Sequence, residues 1–263
     1  ATKIAEEITS DGDRHTLIVL GGDGTVNEVI NGIVYLGQTE LGYIPLGSSN
    51  DLARGLELPS DPEKALFSIL NAPARPVDIG CVRYGGRTRR FIVSSGFGFD
   101  ASVCHQVMVS RLKPLLNRLH LGKLTYAGVA LQLLFLSAST EHAEILDGQE
   151  KISFHGVYFA AAMNLPFEGG GFKFCPHADC RDGKLNIIVV SGLSKLKVLL
   201  LLPTAFFGLH TRFHGVHTYT CHSAEFLSAA ELPVHTDGEP VLRQQRMMVR
   251  LENEKLLMKI INK

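Results

Sequence analysis

The sequence has no tryptophan, so the commonest interfacial anchor is missing and that role falls to Tyr and Phe. It has no excess of either charge, with 26 Lys+Arg against 26 Asp+Glu. A balanced chain is not a nucleic-acid polycation, and any basic membrane-facing patch has to be local. It has no disulfide framework either. Its cysteines (Cys81, Cys104, Cys175, Cys180 and Cys221) are odd in number and irregularly spaced, which points to a reducing compartment. The most apolar run, Val198 to Leu209, falls well short of the ~20 residues of a bilayer span, and Pro203 interrupts it. "CPHADC" and the run His210, His214, His217, His222 invite a zinc reading. No C-x-x-C pair accompanies them, no acid is placed for H-E-x-x-H chemistry, and no G-x-S-x-G elbow is present.

What is present is an ordinary globular composition, 45% hydrophobic and 20% charged over 263 residues, enough for one or two domains. The first 73 residues alternate between short apolar runs and helical patterns. "HTLIVL" reads as a buried parallel strand and "VNEVINGIVYL" as a helix. "LGYIPLG" reads as the next strand, and "SNDLARGLEL" and "DPEKALFSILNA" as helices. Such alternation predicts an α/β domain with a doubly wound parallel sheet. From residue 74 the texture changes to period-two alternation with turn glycines, as in "RPVDIGCVRYGGRTRRFIVSSGFGFDASV". The reading is therefore a domain at 1–73 and a larger, mainly antiparallel β domain with a few helices at 74–253. Residues 254–263 are expected to pack back on the first domain. "KLTYAGVALQLLFL" reads as one long helix.

The stretch "GGDGT", Gly21 to Thr25, stands where a strand hands over to a helix. Consecutive glycines let backbone N–H groups converge and let a bulky anion approach, and a helix N-terminus adds positive potential. That combination suits phosphate. Asp23 then makes sense if Mg²⁺ lies between, or if the side chain orders water and backbone around the metal. The same glycines also suit a plain strand-to-helix turn, and the stretch matches neither a P-loop nor G-x-G-x-x-G.

The longer strings are more specific. "GGDGTVNEVINGI" is followed by "PLGSSNDLARGLELP", "PVDIG", "SSGFGFDASV", "LGKLTYAG", "RDGKLNIIVV" and "HTDGEP". In that order, over nearly the whole chain, they resemble the diacylglycerol kinase and sphingosine kinase superfamily. The nearer resemblance is to the compact bacterial lipid kinases of the diacylglycerol kinase B and YegS type. It implies a first domain like that of phosphofructokinases and NAD kinases, binding ATP. The family opens with a strand and an N-P-x-S-G-type loop that touches nucleotide. The expectation is that such a segment precedes Ala1.

By this resemblance, Gly21, Gly22, Asp23, Gly24, Thr25, Val26 and Asn27 bind nucleotide, with Ser48 at the next strand end. Asn50 and Asp51 would lie between nucleotide and lipid headgroup. Ser49 or Asn50 would equally serve as a helix cap. Phosphoryl transfer to a hydroxyl needs a carboxylate to take the proton. The resemblance assigns that role to Asp237, with Glu239 assisting through metal or water. From local sequence, "DG" also reads as a simple turn. The family's second, structural Mg²⁺ loop matches "HADCRDGKL", with Asp182 as side-chain ligand and carbonyls from Asp179 and Lys184. Another Asp-Gly turn is the alternative there.

The resemblance implies ATP and Mg²⁺ as cofactors, and as product a phosphorylated lipid, foremost phosphatidic acid from diacylglycerol. It implies a lipid partner at a membrane surface, peripheral contact at the cytoplasmic face, no nucleic acid, and a homodimer as an option. "LSKLKVLLLLPTAFFGLHTRF", flanked by Lys195, Lys197 and Arg212, suits an interfacial helix or equally a core helix. "SRLKPLLNRLHLGK" is a second such candidate. Two other readings stay open: a kinase of a soluble hydroxyl substrate, and a non-catalytic lipid-binding regulator of the same fold.

Overall fold

The computed structural model of the chain describes residues 1–98, 140–147 and 150–260. The sequence-predicted helix "KLTYAGVALQLLFL" and the basic stretch "SRLKPLLNRLHLGK" lie outside them.

The chain opens with α1 (Thr2–Thr9), β1 (His15–Gly21) and α2 (Asp23–Gly32). There follow β2 (Thr39–Pro45), the short α3 (Asp51–Gly55), α4 (Pro62–Asn71) and β3 (Ala74–Val77). α4 begins where the residue types predict. Asp61 accepts a hydrogen bond from Lys64 N at 2.9 Å, and Pro62 fills the first turn, where no N–H is needed. β1 and β2 run parallel from His15 opposite Thr39 to Gly21 opposite Pro45, so the two strands end side by side.

The second part begins with β4 (Gly80–Tyr84), β5 (Arg87–Phe91) and β6 (Ser94–Gly98). The turn at Gly85 and Gly86, both at positive φ, closes a β4–β5 hairpin as a Gly-Gly pair favours. Next come β7 (Thr140–Asp147), β8 (Glu150–Met163), β9 (Leu185–Ser191) and α5 (Lys195–Ala205). The last elements are β10 (Val216–Cys221), β11 (Ser223–Leu232), β12 (Val234–Thr236), β13 (Glu239–Pro240), β14 (Gln244–Leu251) and β15 (Leu256–Lys259).

These strands form two sheets. The smaller is ordered β1-β2-β15-β3, with β15 parallel to β2 and β3 antiparallel to β15. The larger joins eleven strands among the described residues and is built from antiparallel pairs. The crossing between them corrects the reading at residue 74. Residues 74–77 still pair in the first sheet, and the chain enters the second sheet after Val77. Alternation alone reports a strand and not the sheet it joins. A second correction concerns β1. Val19 is buried, but Ile18 and Leu20 are 39% and 59% exposed, because β1 is an edge strand among the described residues. One core lies between α2 and the first sheet, formed by Val26, Ile30, Leu41, Tyr43 and Met258 among others. A second fills the β domain around Phe91, Phe97, Phe226 and Met247.

Candidate active site

The adjoining ends of β1 and β2 bring two loops together, as expected at the carboxyl ends of parallel strands. Gly22 and Gly47 face each other there. A Cβ on Gly47 would lie 2.6 Å from the Cα of Gly22, so only glycine allows the loops to meet this closely. The cleft is lined by Gly22, Asp23, Gly24, Ser48, Ser49 and Asp51 from the first domain. From the β domain come Val93, Ser94, Glu168, Gly169, Asp237, Gly238 and Glu239.

Asp23 orders backbone. Its Oδ2 accepts from Asp51 N at 2.8 Å and its Oδ1 from Leu52 N at 3.3 Å. It thereby caps the start of α3 from another element, satisfying donors that a helix leaves open. Burial raises its pKa, and the two N–H donors offset part of that. Asn50 occupies the cap position of α3, in the left-handed region at φ +50°, yet makes no side-chain cap bond. Its amide instead donates to Gly47 O at 2.8 Å and its Oδ1 accepts from Tyr43 OH at 3.2 Å, bracing the loop.

Asp51 is buried. Its Oδ1 pairs with Arg54 at 2.5 Å and its Oδ2 accepts from Gly170 N at 2.8 Å, which ties the first domain to the β domain. Burial pushes its pKa up to about 7, with Asp23 and Glu168 adding to the rise and Gly170 and Arg54 opposing it.

Asp237 sits at φ +50° in the turn between β12 and β13. Its Oδ1 accepts from the N–H groups of Ile92, Val93 and Ser94 at 3.2, 2.8 and 3.0 Å. Its Oδ2 accepts from Asn27 Nδ2 at 2.8 Å and Ile92 N at 3.0 Å. Burial nevertheless raises its pKa, against the pull of those donors. Glu239 reaches over the glycine loop: a Cβ on Gly24 would come within 2.5 Å of its Oε1.

The structure thus brings Gly22, Asp23, Gly24, Ser48, Asp51, Asp237 and Glu239 into one cleft. Gly21, Thr25, Val26, Asn27 and Asn50 do not line it. Val26 is fully buried in the core of the first domain, and Asn27 is turned toward Asp237. Sequence reasoning passed over Glu168 and Gly169–Gly171. The signal was available in "EGGG", since three successive glycines mark a backbone that needs positive φ, and all three have it.

The Asp179–Lys184 loop is not among the residues that line the cleft. The Asp179 carboxylate is taken by Arg181 at 2.8 Å, and Asp182 Oδ1 accepts from Lys184 N at 2.9 Å. Among the described residues, no three His, Cys, Asp or Glu side chains converge on a metal-sized point. Any Mg²⁺ held there would draw on Asp182, backbone carbonyls and water, a donor set hard oxygen-seeking Mg²⁺ accepts. The four described cysteines are buried and form no disulfide, and His210 is bonded to Phe174 O.

On α5 and the turn after it, Leu196, Leu200, Phe206, Phe207 and Phe213 are all exposed, Phe207 to 76%. Val198 and Leu199 pack inward. Among the described residues, no helix is long and apolar enough to cross a membrane.

Two family profiles match the chain. The diacylglycerol kinase catalytic domain covers residues 1–82, and the YegS C-terminal NAD kinase beta sandwich-like domain covers residues 92–252. YtlR of Bacillus subtilis, whose name is that of a lipid kinase with no lipid stated, is 32% identical over 85% of this chain and 73% of its own. A protein named diacylglycerol kinase from the same organism is 30% identical over 85% of this chain and 70% of its own. A diacylglycerol kinase crystal structure from Bacillus anthracis shares the fold with a TM-score of 0.70 at 21% identity, covering 99% of this chain and 80% of that one.

Proposed function

The chain belongs to the bacterial diacylglycerol kinase and YegS-like lipid kinase family, and on that premise we propose that it transfers the γ-phosphoryl group of ATP to diacylglycerol, giving phosphatidic acid. The observation that carries the reading is one cleft in which the glycine loop at the end of β1 faces the Asp237–Glu239 turn of the β domain. The loop amides around Gly22–Gly24 would cradle phosphate, and Ser48 would bond the nucleotide. The acceptor hydroxyl would enter between Glu239, Ser94 and Asp237.

In-line transfer between two oxygens asks chiefly for positioning and charge neutralisation. The Asp237–Glu239 carboxylates would take the hydroxyl proton as the new P–O bond forms. Burial raises the pKa of Asp237 above that of an exposed carboxylate, the direction that favours its taking a proton. Asp23 holds α3, and hence Asp51, at the nucleotide end. Asp23, through the backbone and water it orders, would help hold the Mg²⁺ that supplies charge neutralisation at the phosphates, and Asp182 would hold a second ion in its own loop. The cleft residues do the rest by orientation.

A lipid acceptor keeps its tails in the bilayer, so the enzyme has to meet a surface. The exposed Leu and Phe side chains of α5 and its turn support such peripheral contact. So does the absence of any Asp or Glu from residue 183 to residue 224, while Lys195, Lys197 and Arg212 flank the apolar side chains. We place that contact at the cytoplasmic face.

The test is transfer of label from [γ-³²P]ATP to mixed micelles carrying diacylglycerol, phosphatidylglycerol or a sphingoid base, with NAD as a soluble acceptor. The expected result is labelled phosphatidic acid above all other products. Label in NAD alone would replace this reading with a soluble-substrate kinase. ATP binding without transfer to any acceptor would favour a regulator.

A further inference from the structure

Glu168 and His235 are two titratable side chains that the transfer chemistry leaves unused; both are buried, and Glu168 lines the cleft. Glu168 Oε1 lies 3.0 Å from His235 Nε2. On its other side the imidazole accepts the Gly238 N–H at Nδ1, 3.2 Å away. A ring nitrogen that accepts carries no proton, so the proton is on Nε2, the nitrogen that lies nearer Glu168. The imidazole therefore stands between the Gly238 N–H, which it accepts, and the Glu168 carboxylate, against which it packs as a close pair.

Each side of this pair adjoins a wall of the cleft. Gly238 is the centre of the turn that carries Asp237 and Glu239. Glu168 opens the glycine loop, whose base is clamped by Glu168 N to Phe172 O at 2.9 Å and Phe172 N to Glu168 O at 3.0 Å. The tip of that loop presents Gly170 N to Asp51. Both turns depend on left-handed backbone, at Asp237 and Gly238 and at Gly169–Gly171, which local sequence holds only weakly.

We propose that the Glu168–His235 pair is a positioning element that fixes the Asp237–Glu239 turn and the Gly169–Gly171 loop relative to each other. The proposal rests on the kinase reading above. It differs from an ordinary core ion pair in what its loss should affect. A displaced carboxylate costs turnover, since a misplacement of about 1 Å can cost about 100-fold in rate. Nucleotide affinity, set at the far loop, should change little.

The imidazole can be divided chemically. His235→Asn keeps an acceptor near the Nδ1 position and loses the link to Glu168. His235→Gln keeps a donor near the Nε2 position and loses the link to Gly238. Glu168→Gln keeps an acceptor, whereas Glu168→Ala removes it. The measurements are kcat and KM for ATP with a short-chain diacylglycerol, well below each variant's Tm, and hydrogen exchange at the Gly170 and Gly238 amides. His235→Gln, His235→Asn and Glu168→Ala should lose about 10- to 100-fold in kcat with KM for ATP within about twofold. Glu168→Gln should recover part of the loss, and the Gly238 amide should exchange faster in His235→Gln.

Unchanged kcat in Glu168→Ala and His235→Gln would overturn the proposal. So would a loss of kcat matched by an equal rise in KM for ATP, which would mark general collapse of the cleft. If the wild-type protein phosphorylates no lipid, the functional reading fails by itself. The amide exchange, which needs no substrate, then still decides the pair: unchanged protection at Gly238 in His235→Gln contradicts it.

Discussion

Asn27, near the start of α2, donates a hydrogen bond across the interdomain cleft to Asp237, with Nδ2 2.8 Å from Oδ2. The same side chain gathers Arg89 at its Oδ1, at 2.6 Å, and donates to Arg90 O at 3.0 Å. A fully buried amide with every group engaged is a fixed strut between the two domains.

Asn27→Ala should leave buried partners unmatched and cost about 1–3 kcal/mol of stability. Asn27→Asp should be worse for activity, because it sets a second carboxylate against Asp237. Urea unfolding and turnover on the same preparations check both.

How much of this was legible in the sequence follows from how local each feature is. Gly21–Gly24 and Ser48–Asp51 each sit at a predicted strand end, and parallel pairing of β1 with β2 had to bring those ends together. The D-G turn at Asp237 was equally local. What stayed hidden were partners fixed only by tertiary structure. Nothing near Asp23 says that it caps α3, and Asn27 finds Asp237 only once both domains fold. Ile18 and Leu20 read as buried because apolar pattern does not tell a central strand from an edge strand.

Asp51 should give the stability curve a distinctive pH dependence. Burial raises its pKa in the folded protein to about 7, above the ordinary carboxylate value of about 3.9. A group shifted upward favours the folded state when protonated. Its contribution is complete below about pH 4 and is lost as pH rises through about 7. Asp51→Asn should therefore gain stability relative to wild type between pH 4 and pH 8. A difference in unfolding free energy that is flat across that range would contradict the assignment.

Gly47→Ala should push the two strand-end loops apart, since its Cβ would sit 2.6 Å from Gly22 Cα. The expected result is ATP affinity reduced about tenfold or more with the β domain intact. Isothermal titration with a non-hydrolysable ATP analogue, alongside circular dichroism, measures both.

If Asp182 holds Mg²⁺, adding Mg²⁺ should raise the Tm of the wild-type protein and leave that of Asp182→Asn unmoved, because a ligand bound only by the folded state stabilises it. Equal responses in the two proteins would remove Asp182 from that role. EDTA should reverse the wild-type rise.

The most direct measurement is single-turnover transfer from [γ-³²P]ATP to dioctanoylglycerol by wild type and Asp237→Asn, with ATP affinity measured in parallel. The predicted result is labelled phosphatidic acid from the wild type. In the variant, transfer should fall by about 100-fold or more at unchanged ATP affinity. Transfer by Asp237→Asn within a few fold of wild type would contradict the account, because the carboxylate at the centre of the cleft would then take no part in the reaction.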